Sequence, residues 1–187
     1  MVRNSISAWG WPSVVLHWLG AAIIFVLLVH GWWMTHLAPG PGPARLANFT
    51  WHGALGYDFL VLLVVRLVWR WLNPVPALPA DLKRWERYAA HVGHAGLYVM
   101  MFAATLVGWA LAGTMRTPLQ KDLFGFTVPL IYMSHDRAIH ETLEDTHRIL
   151  AYLLAALVVV HIIGALRHHF FKRTDILTRM VTIGRPS

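Results

Sequence analysis

The chain has 187 residues, 57% of them apolar and only 13% charged, and its mean hydropathy is +0.50. Soluble domains carry about a quarter charged residues, so the composition argues against a water-soluble globule, and the length fits a single domain over residues 1–187. Cysteine is absent, which excludes disulfides, iron–sulfur clusters, thioether-attached haem and thiolate zinc sites; 10 Trp and 12 His stand out instead.

Four apolar stretches follow in chain order: about Trp11 to His36, Trp51 to Trp71, Tyr88 to Ala112 and Thr146 to Phe171. Each holds the roughly 20 mostly apolar residues that a helix needs to cross about 30 Å of hydrocarbon. Within lipid the backbone has to satisfy its own hydrogen bonds, so each stretch predicts a transmembrane helix. The first span lacks a small-residue cleavage site and is expected to stay attached. Ala38-Pro-Gly-Pro-Gly-Pro43 breaks the chain after the first helix, and Asn73-Pro-Val-Pro-Ala-Leu-Pro79 after the second. A shorter apolar piece, Leu123 to Tyr132, contains Pro129 and is expected to lie at the interface. The fold class is therefore all-α, an integral membrane four-helix bundle.

Charge sets the direction. Arg3, Arg70, Lys83, Arg84, Arg87, Arg167, Lys172, Arg173, Arg179 and Arg185 fall on the side of the termini and the 2–3 connection. Arg45, Arg116, Lys121, Arg137 and Arg148 fall on the other. The positive-inside rule then puts both termini in the cytoplasm. The high pI of about 10.4 reflects this orientation, and nucleic acid is not an expected partner.

Histidine placement carries the chemistry. His17 lies early in the first helix, toward the cytoplasm; His52 opens the second and His147 the fourth, both toward the outer side. His161 follows His147 by fourteen residues, about 21 Å along the axis and within about 40° of the same direction. The four thus pair by depth, His52 with His147 at the outer level and His17 with His161 at the inner level. Imidazoles on facing helices at one depth are the arrangement that ligates haem iron within a bundle. Gly20, Gly56 and Gly164 lie three or four residues after ligand positions, where a flat macrocycle needs the backbone clear. Arg66, fourteen residues after His52, lies within a span; it either pairs with a haem propionate or snorkels to the headgroups. His91 and His94 open the third helix at the inner level and either contact a cofactor or pack structurally. His30 is rotated about 140° from His17 and is not expected on that face. His36, His135, His140, His168 and His169 are expected in solvent near the boundaries.

Leu16-His17-Trp18-Leu19, Trp51-His52-Gly53, Val64-Val65-Arg66-Leu67-Val68-Trp69-Arg70, Ala90-His91-Val92-Gly93-His94 and the His161 to His168-His169-Phe170 segment resemble the bacterial cytochrome b-561 family. The resemblance runs from about Val15 to Met180. It implies a four-helix inner-membrane protein with two b-type haems, with His17, His52, His147 and His161 as axial iron ligands. The best-defined member is a superoxide oxidase, so the resemblance also implies electron transfer from superoxide to ubiquinone. The outer loop departs from the family pattern: it is longer here, and His135 and His140 have no counterpart.

On this reading an outer cation draws superoxide in. Arg148, next to a ligand, is the first choice, with a lipid or propionate contact as its other role. An ionisable group beside the quinone is also expected, and His91 or His94 is placed to serve. No obligatory protein partner is expected. Two rival readings are a haem b electron-transfer subunit working with a partner redox enzyme, and a histidine-rich metal-ion transporter, which would need ligands clustered at one midplane site.

Overall fold

The computed structural model describes residues 1–38, 40, 42–79, 81–115, 122–129 and 135–182. It is all-helical, with four long helices: α1 (Trp11–His36), α2 (Pro43–Leu72), α3 (Arg84–Ala112) and α4 (Arg137–Phe170), followed by the short α5 (Thr178–Val181). Three of them, α1, α3 and α4, are long and apolar enough to cross a membrane. Within its apolar sequence α2 carries Asp58, Arg66 and Arg70.

The helix bounds have local causes. Pro12 lies in the first turn of α1 and Pro43 opens α2, where a missing N–H and a fixed φ are no handicap. α2 stops at Asn73, directly before Pro74, because proline disfavours helix in the residue preceding it. The Asp136 carboxylate accepts from the backbone N–H groups of Ala138 and Ile139 and so caps α4. Helices α2, α3 and α4 begin earlier than the apolar stretches starting at Trp51, Tyr88 and Thr146. Their first turns are polar helix, which a hydropathy reading cannot see. α4 accordingly shortens the outer connection by starting at Arg137.

Consecutive helices pack side by side, α1 on α2, α2 on α3 and α3 on α4. One apolar cluster joins all four: Ile24 and Leu27 of α1, Phe59 and Leu63 of α2, Met101 of α3 and Leu154 of α4. Ile24, Phe59 and Leu154 lie seven residues after His17, His52 and His147 respectively, and Leu154 also lies seven before His161. The core is thus a dry plug midway between the two histidine levels. Outside it, Phe25, Val29, Leu153, Val160 and Ile163 are exposed; so much apolar surface suits lipid.

Both ends are tied. At the end that carries the N-terminus the Asn4 amide donates to Pro74 O, and Asn4 Oδ1 accepts from Gly10 N and Ser13 Oγ. The Trp18 indole donates to Met180 O at 2.6 Å, and Arg179 donates to Ala77 O. Glu86, whose side chain is 2% exposed, pairs with Arg167 at 3.1 Å and Lys172 at 3.5 Å. At the opposite end Val128 packs on Ala54 and Ala112, and the Trp109 indole donates to Pro129 O. Leu123, Phe124 and Phe126 stay exposed on this connection, while residues 130–132 of the apolar piece lie outside the described residues.

Candidate functional site

α2 and α4 bring the rings of His52 and His147 to 6.2 Å between centres, with planes at 87°. α1 and α4 bring His17 and His161 to 6.3 Å, with planes at 66°. Two imidazoles on opposite sides of one iron, with metal–nitrogen bonds of about 2.0 Å and about 1.1 Å from each nitrogen to its ring centre, stand about 6 Å apart. Both pairs meet that separation. No group of three or more His, Cys, Asp or Glu able to hold a metal ion occurs among the described residues.

The hydrogen bonds of the rings differ in how they suit this use. His147 Nδ1 lies 2.9 Å from Ala104 O; a proton on Nδ1 donated there leaves Nε2 without one and free to coordinate. His52 Nδ1 is buried without a hydrogen-bond partner, an orphan that a bound group or water would be expected to satisfy. Arg66 Nη2 donates to His17 Nδ1 at 2.8 Å. Ligation through His17 Nε2 requires the proton on Nδ1, so Arg66 must then turn to another acceptor.

Glycines support the rings, but two of them are not those the spacing pointed to. A Cβ at Gly108 would stand 2.9 Å from His147 Cε1, and one at Gly31 would stand 3.2 Å from His52 Cε1. These two glycines, on α3 and α1, let the Cε1 corners of the His147 and His52 rings come close to a neighbouring backbone. Gly20 faces Arg66 and Phe59, and a Cβ at Gly56 or Gly164 would meet nothing within 4 Å. Spacing along one helix identifies a face, whereas these supports act across helices.

Of the two histidines opening α3, His94 is brought to 5.4 Å from His161, and His91 turns its Nδ1 to Arg87 O at 2.7 Å. His30 occupies the corresponding place at the outer level, stacked on His52 at 5.8 Å and 19° and set against Trp51 and Trp33. Each pair therefore has a third imidazole beside it. The partner of His30 lies on α2, so the rotation of that residue from His17 along α1 does not reveal this contact. Arg148 pairs with Asp145 at 2.7 Å and is 58% exposed. Arg137 pairs with Glu141, and Arg45 lies over the Phe49 ring; Arg116 and Lys121 fall outside the described residues. His135 and His140 are not simply solvated: both bond to Thr114, His135 Nδ1 to its carbonyl and His140 Nδ1 to its hydroxyl. His168 Nδ1 is likewise buried, whereas His36 Nδ1 meets Trp32 O near the surface.

A family profile for prokaryotic cytochrome b561 matches residues 8–183. The chain belongs to that family. It is 31% identical to cytochrome b561 homolog 2 of Escherichia coli (strain K12), over 95% of this chain and 93% of the relative. It is 26% identical to a probable superoxide oxidase CybB of Yersinia pestis, over 90% and 93% of the two chains. A probable Ni/Fe-hydrogenase B-type cytochrome subunit of Cupriavidus necator is also 26% identical, over 91% and 83%. The family binds haem b and belongs to the bacterial inner membrane. The protein is accordingly a membrane haem protein of electron transfer.

Proposed function

We propose that the chain is a four-helix, di-haem cytochrome of the inner membrane that oxidises superoxide and reduces ubiquinone, with α2 crossing beside the other three helices and both termini cytoplasmic. One observation carries this: two histidine pairs of iron-spanning separation, both drawing on α4, with an apolar plug between them. His52 and His147 hold the outer haem and His17 and His161 the inner one. When bound, haem b supplies a one-electron couple.

The chain's own residues do the rest. The imidazole rings fix the two sites, and the Ile24, Phe59 and Leu154 layer keeps water out of the space between them. Arg148 is the cation next to the outer pair and attracts the superoxide anion, its charge partly offset by Asp145. Two superoxide anions lose one electron each and leave as dioxygen, and one quinone takes the two electrons with two protons. His94, beside His161, is placed to hand a proton to a quinone at the inner level; His91 lies one turn nearer the cytoplasm. Arg66 serves the propionates of the inner haem.

Mixing the purified protein with superoxide and ubiquinone tests the proposal: rapid appearance of the reduced b-type band, with quinone reduction, is expected. No reduction by superoxide, with both haems present, refutes the oxidase. The similarity to a hydrogenase B-type cytochrome subunit supports a second reading, in which the same haems relay electrons between quinone and a partner redox enzyme. That reading gains if the isolated protein is inert to superoxide yet is reduced by quinol.

A further inference from the structure

Two cations of α2 converge on one ring at the inner level. The Arg66 guanidinium lies 5.5 Å from the centre of the Tyr98 ring, and that of Arg70 lies 5.9 Å from the same centre. The arginines are one helical turn apart, an arrangement in which like charges repel. Tyr98 is one turn beyond His94, the neighbour of His161, and Arg66 reaches across to His17 on α1. The basic group thus sits where α1, α2 and α3 meet beside the inner pair.

Among the described residues no carboxylate oxygen lies within ion-pair distance of Arg66 or Arg70; Glu86 and Asp175 are engaged by Arg167, Lys172 and Arg179. Charged side chains in an apolar setting are costly unless paired. Arginine presents a planar fork of donors that matches carboxylate or phosphate. Tyr98 adds a platform beside both guanidinium groups, and of the Arg66 donors Nη2 is given to His17.

We propose that Arg66 and Arg70, held together on the face of Tyr98, form a clamp for a paired anion, namely the two propionates of the inner haem. The inference rests on the two-haem reading and adds Arg70 and Tyr98 to it. It also gives Arg66 the acceptor it needs once His17 turns Nδ1 into a donor. An anionic lipid headgroup offers the same oxygen chemistry through its phosphate, so the test has to separate the two sources.

The experiment is a redox titration of Arg70→Gln against the unaltered protein, in nanodiscs of purely zwitterionic lipid and in nanodiscs containing phosphatidylglycerol. Resonance Raman spectra of the propionate bending modes accompany it. A cation close to a haem favours its reduced form, so its removal lowers the midpoint potential. The expected result is a downward shift of one haem only, the one lost in His161→Ala, in both lipids and with an altered propionate band. Unmoved potentials and Raman bands with both haems bound overturn the clamp. A shift confined to phosphatidylglycerol discs also overturns it and assigns the arginines to lipid phosphate. If Arg70→Gln loses the inner haem, Arg70→Lys decides: recovery of that haem with an altered propionate band supports the clamp, and an unaltered band opposes it. Absence of two haems from the unaltered protein is a separate result, which removes the underlying reading.

Discussion

Substituting Gly108 by alanine probes the His52–His147 pair without altering either histidine. The added Cβ would stand 2.9 Å from His147 Cε1 and 3.2 Å from its Nδ1, against an ordinary contact that begins near 3.4 Å. The ring must therefore retreat by about 0.5 Å, the whole positional tolerance of a functional site. Turning His147 off its rotamer costs about 0.5–1.5 kcal/mol, and giving up the bond to Ala104 O costs about as much again. Together these come to about 1–3 kcal/mol, or roughly 5- to 150-fold weaker haem binding at that level. Haem per chain, measured by pyridine haemochrome against protein mass, should fall from two toward one, with the inner haem's band and potential unchanged. Gly20→Ala is the control, since its Cβ would meet Arg66 and Phe59 only at 3.7 and 3.9 Å, and it should keep both haems. Gly108→Ala with two haems and an unmoved outer potential would refute the idea that this glycine seats the His147 ring.

Other outcomes follow from the same geometry. His147→Ala should lose the outer haem alone and His161→Ala the inner one alone; optical titration in which neither component disappears rejects the ligand assignment. Asn4→Ala removes three hydrogen bonds joining the N-terminal segment, α1 and the 2–3 connection. It should cost about 2–4 kcal/mol, read as a lower Tm in detergent at unchanged haem content. Thr114→Val releases His140 from its hydroxyl and should speed proteolysis of the 122–136 connection while leaving both haems bound. Glu86→Gln takes the charge from the ion pairs with Arg167 and Lys172; the thermal transition should move down, and an unchanged transition counts against a role in joining α3 to α4.

How far the sequence could be read differs from helix to helix. α1 was legible because its apolar run, about Trp11 to His36, extends over the whole helix and a proline–glycine run follows its end. α4 was legible only where it is apolar. Its first turns, from Arg137 to Thr146, are polar and amphipathic, and the signals for them were Asp136 as a cap and the Arg137–Glu141 spacing. The two histidine pairs could be anticipated because depth along a helix is a linear function of residue number. Gly31, Gly108 and His30 could not, since each acts on a ring belonging to another helix and depends on how the helices are rotated. Thr114 was hidden for a similar reason: nothing in its own segment announces two histidines reaching it from 21 and 26 residues away.

Carrying one member of each pair on a single rod makes α4 a ruler. A residue inserted between His147 and His161 would swing the farther ring by about 100°, and no neighbouring helix could follow it without losing its own match. Seven inserted residues would restore the bearing but lengthen the interval by about 10 Å, past the reach of His17. A change of length in this stretch would therefore break one of the two pairs, and a fit to a thicker or thinner bilayer would fall to the two ends of the helix.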